Sequence, residues 1–364
     1  MQRVIVSVTN DITSDQRVYR TCTTLAEMGY DIYVIGRELP QSIPLKRIYK
    51  TNRMKLFFNK GFLFYAEYNI RLFCKLLFLK KDMLLANDAD TLLPNYFISR
   101  LFRKKLIFDS HELFSEIPEL VNKPTVKRIW QLIEKSIIPN IKNGITVSES
   151  IANHYKQRYN SQFEVIRNIP YKESVEQGEF PFNKGNKKII LYQGSVNVGR
   201  GLELMIDAMP LIENALFVII GEGDITQQLK QKVEENKLAD RVIFLGRIAP
   251  EKLQMLTPLA DVGISMEEDL GLNYRYALPN KLFDYIQAQI PVIVSNLPEM
   301  RSVVEKYDVG FVLEERTPEN LAQQITKILQ EGKELWKDQL KKASEELNWQ
   351  KESEKLKTIM QNLQ

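Results

Sequence analysis

The sequence predicts an α/β fold made of two doubly wound domains. Short β-rich runs alternate with helical periods along the chain, which is typical of repeated βαβ units with a mostly parallel sheet. With 364 residues, the chain exceeds the size of about 250–300 residues at which a single core stops growing. A Pro- and Gly-rich polar stretch around 168–188 interrupts the alternation, and the same plan then starts again.

The first predicted domain begins almost at the first residue. Its strands are predicted at 4–8, 31–35, 83–86, 105–108 and 144–147, and a helix at 17–28 ends at Gly29. The opening residues run directly into the first strand, without the basic and apolar regions of a signal peptide. We therefore expect a cytoplasmic protein, with peripheral association with the inner face of the membrane left open.

The second predicted domain repeats this plan. Strands are predicted at 189–192, 216–220, 242–245, 262–264 and 292–294, with helices at 202–208, 225–236, 251–256 and 281–287. The predicted boundaries are an N-terminal domain at 1–173, a linker at 174–186 and a C-terminal domain at 187–345. A final helix at 346–364 is expected to cross back to the N-terminal domain.

Charge is distributed unevenly, although the formal net charge is only +4. Residues 1–173 carry 27 Lys and Arg against 17 Asp and Glu, a net charge of +10, whereas the remainder carries 23 against 29, a net charge of −6. The excess is concentrated at 46–81, where ten bases and one acid are interleaved with aromatic residues. The first half is therefore expected to face an anionic partner.

The basic, aromatic segment 46–81 has three interpretations: a core helix with a basic solvent face, a surface for an anionic membrane or lipid acceptor, or a nucleic-acid site. Nucleic acid is the least favoured, because no RNP, zinc-finger or helix-turn-helix pattern accompanies the charge. Charges at Lys60, Glu67, Arg71 and Lys75 interrupt the uncharged run of about 18–20 residues that a spanning helix needs. On a membrane, the segment would lie on the bilayer rather than cross it.

Three glycine-containing turns follow predicted strands of the second half. They are the turn from Gly194 to Gly201 with Ser195 and Arg200, the turn with Gly221 and Gly223, and the turn with Gly246 and Arg247. Glycine lets backbone N–H groups approach an anion, and an arginine can donate two hydrogen bonds to phosphate oxygens. Each turn alone is also typical of plain turn chemistry, but the ends of parallel strands meet at one edge of a sheet. Together the turns predict a diphosphate site.

The helix that precedes the strand at 292–294 has polar and charged residues in its first turns. Asn280 and Lys281 begin this helix, and Asp284 lies one turn along on the same face. Lys281 can balance phosphate charge while Asp284 accepts ribose hydroxyls. The chain has neither a G-x-G-x-x-G fingerprint after its first strand nor a P-loop, which argues against a dinucleotide oxidoreductase and a P-loop NTPase.

These motifs together resemble the retaining family 4 of the GT-B glycosyltransferases, also called glycosyl transferases group 1, of the type that builds bacterial surface polysaccharides. The second half matches at Tyr192-Gln193-Gly194, Gly199-Arg200-Gly201-Leu202, Gly221-Glu222-Gly223, Phe244-Leu245-Gly246, 259–264 and 279–285. The first half matches at Asn10-Asp11, 15–18, Asp109-Ser110-His111-Glu112, 147–150 and 168–170. The resemblance implies a GT-B fold, with two Rossmann-like doubly wound domains facing across a cleft.

The resemblance also implies a function and a set of residues. A sugar would pass, with retention of configuration and without a protein nucleophile, from a nucleotide-diphosphate sugar to a lipid-linked or cell-surface glycan. The implied catalytic residues are His111, Arg200 and Lys281, and those on the acceptor side are Asn10, Asp11, His111 and Glu112. The implied donor-binding residues are Gly194, Ser195, Arg200, Gly221, Gly223, Gly246, Arg247, Asn280, Lys281 and Asp284.

The sequence departs from the family pattern where a glutamate pair is expected eight residues apart. Asp284 stands at the second position, but Tyr276 stands at the first, and the longer loop before it offers Glu267 and Glu268 as substitutes. Ser195 also stands where many relatives carry arginine. These departures keep two alternatives open, namely a nucleotide-sugar epimerase of the same fold and a noncatalytic GT-B binding subunit.

No metal and no organic cofactor are expected. Asp88-Ala89-Asp90 matches the D-x-D pattern that holds Mn²⁺ or Mg²⁺ in the other main glycosyltransferase fold. It lies in the first half, away from the diphosphate turns, and is interpreted as a loop or part of the acceptor side. No His/Cys/Asp cluster has zinc spacing, and the two cysteines are expected to be reduced.

Overall fold

The computed structural model describes residues 1–13, 15–40, 42–117, 120, 123–173 and 176–363. The chain divides into two compact units: unit 1 comprises 1–168 with 352–364, and unit 2 comprises 169–351. The expected linker at 174–186 lies inside unit 2, and its first two residues fall outside the described residues.

Unit 1 is a parallel sheet with helices in its connections. Its strands are β1 Arg3–Asp11, β2 Asp31–Glu38, β3 Lys50–Lys55, β4 Met83–Asn87, β5 Lys105–Ser110, β6 Asn143–Thr146 and β7 Phe163–Val165. Its helices are α1 Gln16–Glu27, α2 Gly61–Phe78, α3 Ala89–Leu101, α4 Pro124–Ile137 and α5 Glu149–Tyr159. The central strands are buried on both faces, which is why they form nearly continuous apolar runs.

The strand order of this sheet is β3-β2-β1-β4-β5-β6-β7, and its paired strands are all parallel. The order reverses between β1 and β4, so a crevice opens there beyond the carboxyl ends of the strands. The sequence did not predict β3 and β7, which form the two edges. β3 carries three basic residues, two of them exposed, and β7 has only three residues.

Unit 2 has the same architecture. Its strands are β8 Lys188–Gln193, β9 Ala215–Ile220, β10 Val242–Gly246, β11 Val262–Ser265, β12 Val292–Ser295 and β13 Gly310–Leu313. Its helices are α6 Leu202–Ala208, α7 Thr226–Glu235, α8 Pro250–Leu256, α9 Leu272–Arg275, α10 Asn280–Gln287, α11 Pro298–Tyr307, α12 Pro318–Glu331 and α13 Lys337–Glu346. The parallel order β10-β9-β8-β11-β12-β13 reverses between β8 and β11.

The last helix, α14 Trp349–Asn362, contains the boundary between the two units. Its residues from Glu352 onward belong to unit 1, where the backbone N–H of Arg167 donates to Glu352 Oε2 over 2.9 Å. Two parallel, doubly wound sheets confirm the predicted α/β fold class. Within the described part of the chain, no helix combines the length and apolarity needed to cross a bilayer.

Candidate functional site

The first candidate site lies at the carboxyl edge of the unit 2 sheet. The turns after β8, β9 and β10 are joined there by backbone hydrogen bonds. Gly194 N–H donates to Ile220 O over 2.9 Å, and Gly221 N–H donates to Gly246 O over 2.8 Å. The three glycine turns that the sequence singled out therefore form one continuous edge next to the β8–β11 reversal.

Gly221 shows why this edge requires glycine. Its φ is +149°, and a Cβ built on it would lie 1.8 Å from Gly194 O. A side chain at this position would push the two turns apart. A Cβ on Gly194 would lie 3.4 Å from Lys281 Cε, so the first turn also lies directly against the lysine.

Lys281 and Arg200 meet on one buried carboxylate, that of Glu267. Lys281 Nζ lies 2.9 Å from Glu267 Oε1, and Arg200 Nη1 lies 3.4 Å from the same oxygen. The other oxygen, Oε2, accepts a hydrogen bond from Ser265 Oγ over 2.8 Å. Glu267 is fully buried, and the side chain of Lys281 is only 9% exposed. Two of the predicted phosphate-binding cations are therefore already held side by side.

Electrostatics fixes the charge state of this group. Burial opposes ionisation of Glu267, but Lys281 and Arg200 outweigh it and lower the pKa of the carboxyl group. Burial likewise opposes the charge on Lys281, and Glu267 raises the pKa of the amine above its ordinary value. The cluster contains two positive charges and one negative charge, so it is suited to an anionic ligand.

Aromatic rings support both cations. Lys281 Nζ lies 4.2 Å from the ring centroid of Tyr192, and the Arg200 guanidinium carbon lies 4.9 Å from that of Tyr274. Such contacts are strongest where the cation is removed from water. The rings hold the two long side chains in place and lower the entropy that each would lose on binding a ligand.

Asp284 belongs to a neighbouring polar network. Its Oδ2 accepts a hydrogen bond from Gln193 Nε2 over 2.9 Å, and Gln193 Oε1 accepts one from Thr257 Oγ1 over 3.0 Å. The backbone N–H of Gln193 donates to Tyr285 Oη over 3.1 Å. Asp284 is therefore tied to the last residue of β8, one helical turn from Lys281.

Arg316 holds the loop that carries Glu267. Its guanidinium donates to the backbone oxygens of Met266, over 3.2 Å, and of Glu267, over 3.4 Å. It also donates to Ser295 Oγ over 2.6 Å. Because Ser295 ends β12, Arg316 links this loop to the sheet.

The other predicted donor-side residues lie around this cluster. Ser195, Gly223, Arg247 and Asn280 are exposed at the turns or at the start of α10. Tyr276, which stands where the family pattern has a glutamate, follows the short helix α9. The sequence offered Glu267 only as one of two substitutes and did not identify Ser265 or Arg316. One signal was available for Glu267, which lies two residues after β11, at the edge where the other turns meet.

The second candidate site lies at the carboxyl edge of the unit 1 sheet. His111 follows β5 and faces a carboxylate on each side: its Nδ1 is 3.2 Å from Asp88 Oδ2, and its Nε2 is 3.4 Å from Asp109 Oδ2. Arg17 binds Asp109 through two contacts, Nε to Oδ2 over 3.0 Å and Nη2 to Oδ1 over 2.6 Å. The four side chains form a row of alternating basic and acidic groups, beside the point where the strand order reverses between β1 and β4.

This arrangement favours the doubly protonated form of His111. Burial opposes the charge, but the carboxylates of Asp88 and Asp109 outweigh it and raise the pKa of His111 well above its usual range. Burial similarly opposes ionisation of Asp109, and Arg17 and His111 lower its pKa far below the ordinary value. His111 therefore lies between two carboxylates, and Arg17 pairs with the farther side of Asp109.

The two carboxylates of Asp88-Ala89-Asp90 have different environments. Asp88 lies at the edge of the sheet, whereas Asp90 is buried and accepts a hydrogen bond from Thr9 Oγ1 over 2.5 Å. Burial, reinforced by Asp88, raises the pKa of Asp90 well above its ordinary value. Among the described residues, no group of three or more His, Cys, Asp or Glu side chains is placed to hold a metal ion.

The remaining acceptor-side residues lie on the same edge of unit 1. Asn10 and Asp11 end β1, where Asn10 Nδ2 donates to Asp15 Oδ2 over 3.3 Å. Asp11 Oδ1 accepts the backbone N–H of Thr13 over 3.0 Å. Glu112 follows His111 and is half-buried.

Comparison with known families assigns both halves of the chain. The model described as Glycosyltransferase Family 4 matches residues 15–170, and the model described as Glycosyl transferases group 1 matches residues 175–348. Together they span both units. The chain therefore belongs to the glycosyltransferases, of the group 1 and family 4 type.

Three curated relatives illustrate the range of similar proteins. An uncharacterized glycosyltransferase of Methanocaldococcus jannaschii is 24% identical over 51% of this chain and 50% of its own length. A GDP-mannose-dependent alpha-(1-6)-phosphatidylinositol monomannoside mannosyltransferase of Mycobacterium tuberculosis is 22% identical over 55% of this chain and 57% of its own length. A chitobiosyldiphosphodolichol beta-mannosyltransferase of Kluyveromyces lactis is 22% identical over 95% of this chain and 89% of its own. The chain thus spans about half the length of the first two relatives.

A solved structure supports the fold over the full length. Sucrose-phosphate synthase from Thermosynechococcus elongatus has a TM-score of 0.84 with this chain and covers 100% of it, with 99% of its own chain aligned. Its sequence identity is only 18%, so the likeness shows the fold alone. The fold is GT-B, as the resemblance implied.

Proposed function

We propose that the protein transfers a sugar, with retention of configuration, from a nucleotide-diphosphate sugar to a lipid-linked or cell-surface glycan. The observation that carries the proposal is the pairing of Lys281 and Arg200 on the buried Glu267, beside three joined glycine turns. A diphosphate carries the charge that two adjacent cations and backbone N–H groups bind best.

Each part of the unit 2 site has a role in this proposal. Lys281 and Arg200 bind the diphosphate and stabilise the charge that develops as it leaves, which is the largest catalytic effect that a preorganised site offers. Asp284 binds the ribose, and Gly194, Gly221 and Gly246 let the backbone approach the ligand. Because the two cations and the backbone N–H groups of the turns bind the diphosphate, the proposal includes no metal ion and no organic cofactor.

The nature of the acceptor draws on the printed names of the relatives. One names a phosphatidylinositol monomannoside and another a chitobiosyldiphosphodolichol, both of them lipid-linked glycans. These names also include one alpha and one beta linkage, so they do not favour one stereochemical outcome. Retention rests on the family resemblance and is tested by NMR of the anomeric proton of the product.

We also propose that α2 rests on an anionic membrane surface on the cytoplasmic side. One face of this helix is buried through Phe64, Tyr68, Leu72 and Leu76. The opposite face exposes 52% of Leu63, 65% of Ile70 and 90% of Phe78, beside the ion pair of Glu67 and Arg71. Exposed apolar side chains next to charged ones on the solvent face of a helix are typical of an interaction surface.

Basic residues flank this exposed stripe, and they determine how the membrane proposal is tested. Lys60 and Lys80 are exposed. Lys81 is buried, with its Nζ 2.9 Å from Leu79 O and 4.0 Å from the Phe102 ring centroid, so it is unsuited to lipid contact. K60Q/K80Q is expected to reduce binding to vesicles of phosphatidylcholine with phosphatidylserine, by about 1 kcal/mol per base. Unchanged binding would contradict the membrane proposal.

The donor site is tested first with UDP and GDP in a thermal-shift assay. A nucleotide at 100 times its dissociation constant stabilises the folded protein by about 2.7 kcal/mol. K281A and R200A should abolish the shift, whereas K252A, at an exposed lysine on α8, should retain it. Transfer to an octyl glycoside, in the presence of EDTA, then tests the reaction and its independence of metal. Sugar transfer that survives both K281A and R200A would reject the assigned site.

A further inference from the structure

We propose that Asp88, rather than His111, binds a hydroxyl group of the glycan acceptor in unit 1, and that His111 is a positioning residue for Asp88. This inference rests on the proposed function, because it needs a glycan acceptor. It gives a role to the Asp88-Ala89-Asp90 segment, which the donor site does not use.

Neither ring nitrogen of His111 is freely accessible to a substrate. An imidazolium has two N–H groups and no acceptor. Nδ1 faces Asp88 Oδ2 over 3.2 Å, and Nε2 lies 3.4 Å from Asp109 Oδ2, where it is buried without a hydrogen-bond partner. A substrate hydroxyl would have to compete with Asp88 at Nδ1, and the buried Nε2 is out of its reach.

The carboxylate of Asp88, by contrast, can accept further hydrogen bonds. An ionised carboxylate offers about four acceptor positions. His111 occupies two of them, through its backbone N–H on Oδ1 over 2.7 Å and through Nδ1 on Oδ2. The Asp88 side chain is 16% exposed, whereas that of Asp109 is 2% exposed. Among Asp88, Asp90 and Asp109, Asp88 is the one that a hydroxyl can approach, because Asp90 is also buried.

The backbone of Asp88 has an unfavourable conformation. Its φ of 59° and ψ of 165° lie in a region that is populated almost entirely by glycine. Asp88 precedes α3, yet its side chain makes no capping hydrogen bond to that helix. The carboxylate instead turns toward His111. Strain that is kept for a side-chain direction rather than for a cap indicates a functional constraint.

The position of Asp88 in the fold agrees with this role. It follows β4, beside the reversal of strand order between β1 and β4, where open parallel sheets bind ligands. Its backbone N–H donates to Asp109 O over 2.9 Å, and Asp109 is fixed by Arg17. Arg17, Asp109 and His111 therefore form a rigid support, and Asp88 presents its free lone pairs at the edge.

The main test measures glycan binding to the full-length protein. The probes are octyl glycosides of mannose, glucose, galactose and N-acetylglucosamine, followed by saturation-transfer NMR. D88A and D88G should each weaken the binding of the glycoside that wild type prefers by about tenfold or more, the loss expected for a hydrogen bond to a charged group. D308A is the matched control, because Asp308 is an exposed aspartate in unit 2 that also has positive φ.

The pair of substitutions separates binding from folding. D88G relieves the backbone strain and D88A retains it, so D88G should have the higher Tm. Both variants should lose affinity for the glycoside to the same extent. If glycoside binding instead followed Tm, the role of Asp88 would be structural and the proposal would be overturned. Unchanged binding in both variants, or a wild type that binds no member of the panel, would also overturn it.

The positioning role of His111 has a spectroscopic readout. The chain contains only two histidines, so the imidazole Cε1–H spectrum holds two signals, and H154Q assigns them. D88A should move the titration of His111 to lower pH, whereas D308A should not. H111Q should weaken the glycoside less than D88A does, because a glutamine can still donate to Asp88. A larger loss in H111Q than in D88A would assign the hydroxyl to His111 instead.

Failure of this inference can be distinguished from failure of the proposed function. The shift in Tm caused by UDP or GDP depends on unit 2 and should be the same in D88A as in wild type. If neither nucleotide stabilises wild type, the proposed function is wrong. If a nucleotide binds while D88A leaves glycoside binding intact, only the assignment of Asp88 is wrong.

Discussion

Glu267 is the residue on which the unit 2 site depends. It is fully buried, yet its ionised form is favoured because Lys281 and Arg200 face the same oxygen. In the absence of ligand, it prevents the two cations from repelling each other. A diphosphate would compete with it for both. Glu267 therefore sets how much of the charge of Lys281 and Arg200 is available to a ligand.

Replacing Lys281 tests this coupling through stability. K281M removes the 2.9 Å partner of a buried carboxylate and is expected to lower the free energy of unfolding by up to about 3–5 kcal/mol. The double variant E267Q/K281M should lose less than the sum of the single losses, since it no longer buries an underpaired charge. Urea unfolding of wild type, E267Q, K281M and the double variant provides the measurement. Additive losses would contradict a coupled pair.

The pH dependence of stability follows from the same pair. The pKa of Glu267 is lower in the folded protein than its ordinary value of 4.5. The stability that the ionised Glu267 contributes is therefore present above pH 4.5 and is lost as the pH falls through the pKa of Glu267 in the folded protein. The difference in unfolding free energy between wild type and E267Q should shrink progressively below pH 4.5. A difference that stays constant down to acid unfolding would show that the charge of Glu267 contributes nothing.

Single residues also show what the sequence could and could not predict. Arg200 and Lys281 were identifiable because each stands at a turn or a helix start beside glycine or an apolar strand. Their meeting on Glu267 was not, because that depends on the path of the loop after β11, which spacing does not specify. The conformation of Asp88 could not be predicted either. A sequence pattern contains no information about positive φ at a non-glycine residue.

At the scale of elements, the carboxyl edge of the unit 2 sheet depends on how closely its turns pack. Gly221 and Gly194 approach so closely that a single Cβ cannot be accommodated, and the hydrogen bonds between the turns hold that spacing. The edge strands β3 and β7 escaped prediction because a charged edge strand and a three-residue strand lack the apolar runs that identify buried strands.

The substitution G221A measures the importance of this packing. Its Cβ would meet Gly194 O at 1.8 Å, so the turns must separate and the backbone N–H groups move away from the ligand. We expect a loss of the nucleotide-dependent shift in Tm and destabilisation beyond the roughly 1–3 kcal/mol that an unfavourable φ costs.

G185A is the control for this substitution, because Gly185 also has positive φ but has nothing within 4 Å of its added Cβ. It should show the cost of the backbone conformation alone and should bind nucleotide normally. If G221A behaved like G185A in stability and in nucleotide binding, the close approach of the turns would be irrelevant to the site.

At the scale of the whole molecule, both units repeat one sheet topology. In each, the strand order reverses next to the first strand of the sheet, and charged side chains gather at the carboxyl ends of the strands on either side. That the strand ends share one edge followed from the alternation of strands and helices, because βαβ connections place all those ends on one edge. The two edges differ in chemistry: that of unit 2 has an excess of cations, and that of unit 1 alternates in sign.

The C-terminal helix gives a test of how the chain is divided between the units. Met360 is fully buried and belongs to unit 1, where its backbone oxygen lies 3.5 Å from Tyr30 Oη. M360A should destabilise unit 1 by about 2–5 kcal/mol, the usual cost of removing a buried methionine side chain. The neighbouring Q361A, at an exposed position, should have little effect. Because the proposed donor-binding residues all lie in unit 2, M360A should leave the nucleotide-dependent shift in Tm intact, as followed by thermal unfolding with and without UDP and GDP. Loss of that shift in M360A, or equal stability of M360A and Q361A, would mean that the end of the chain does not serve unit 1 alone.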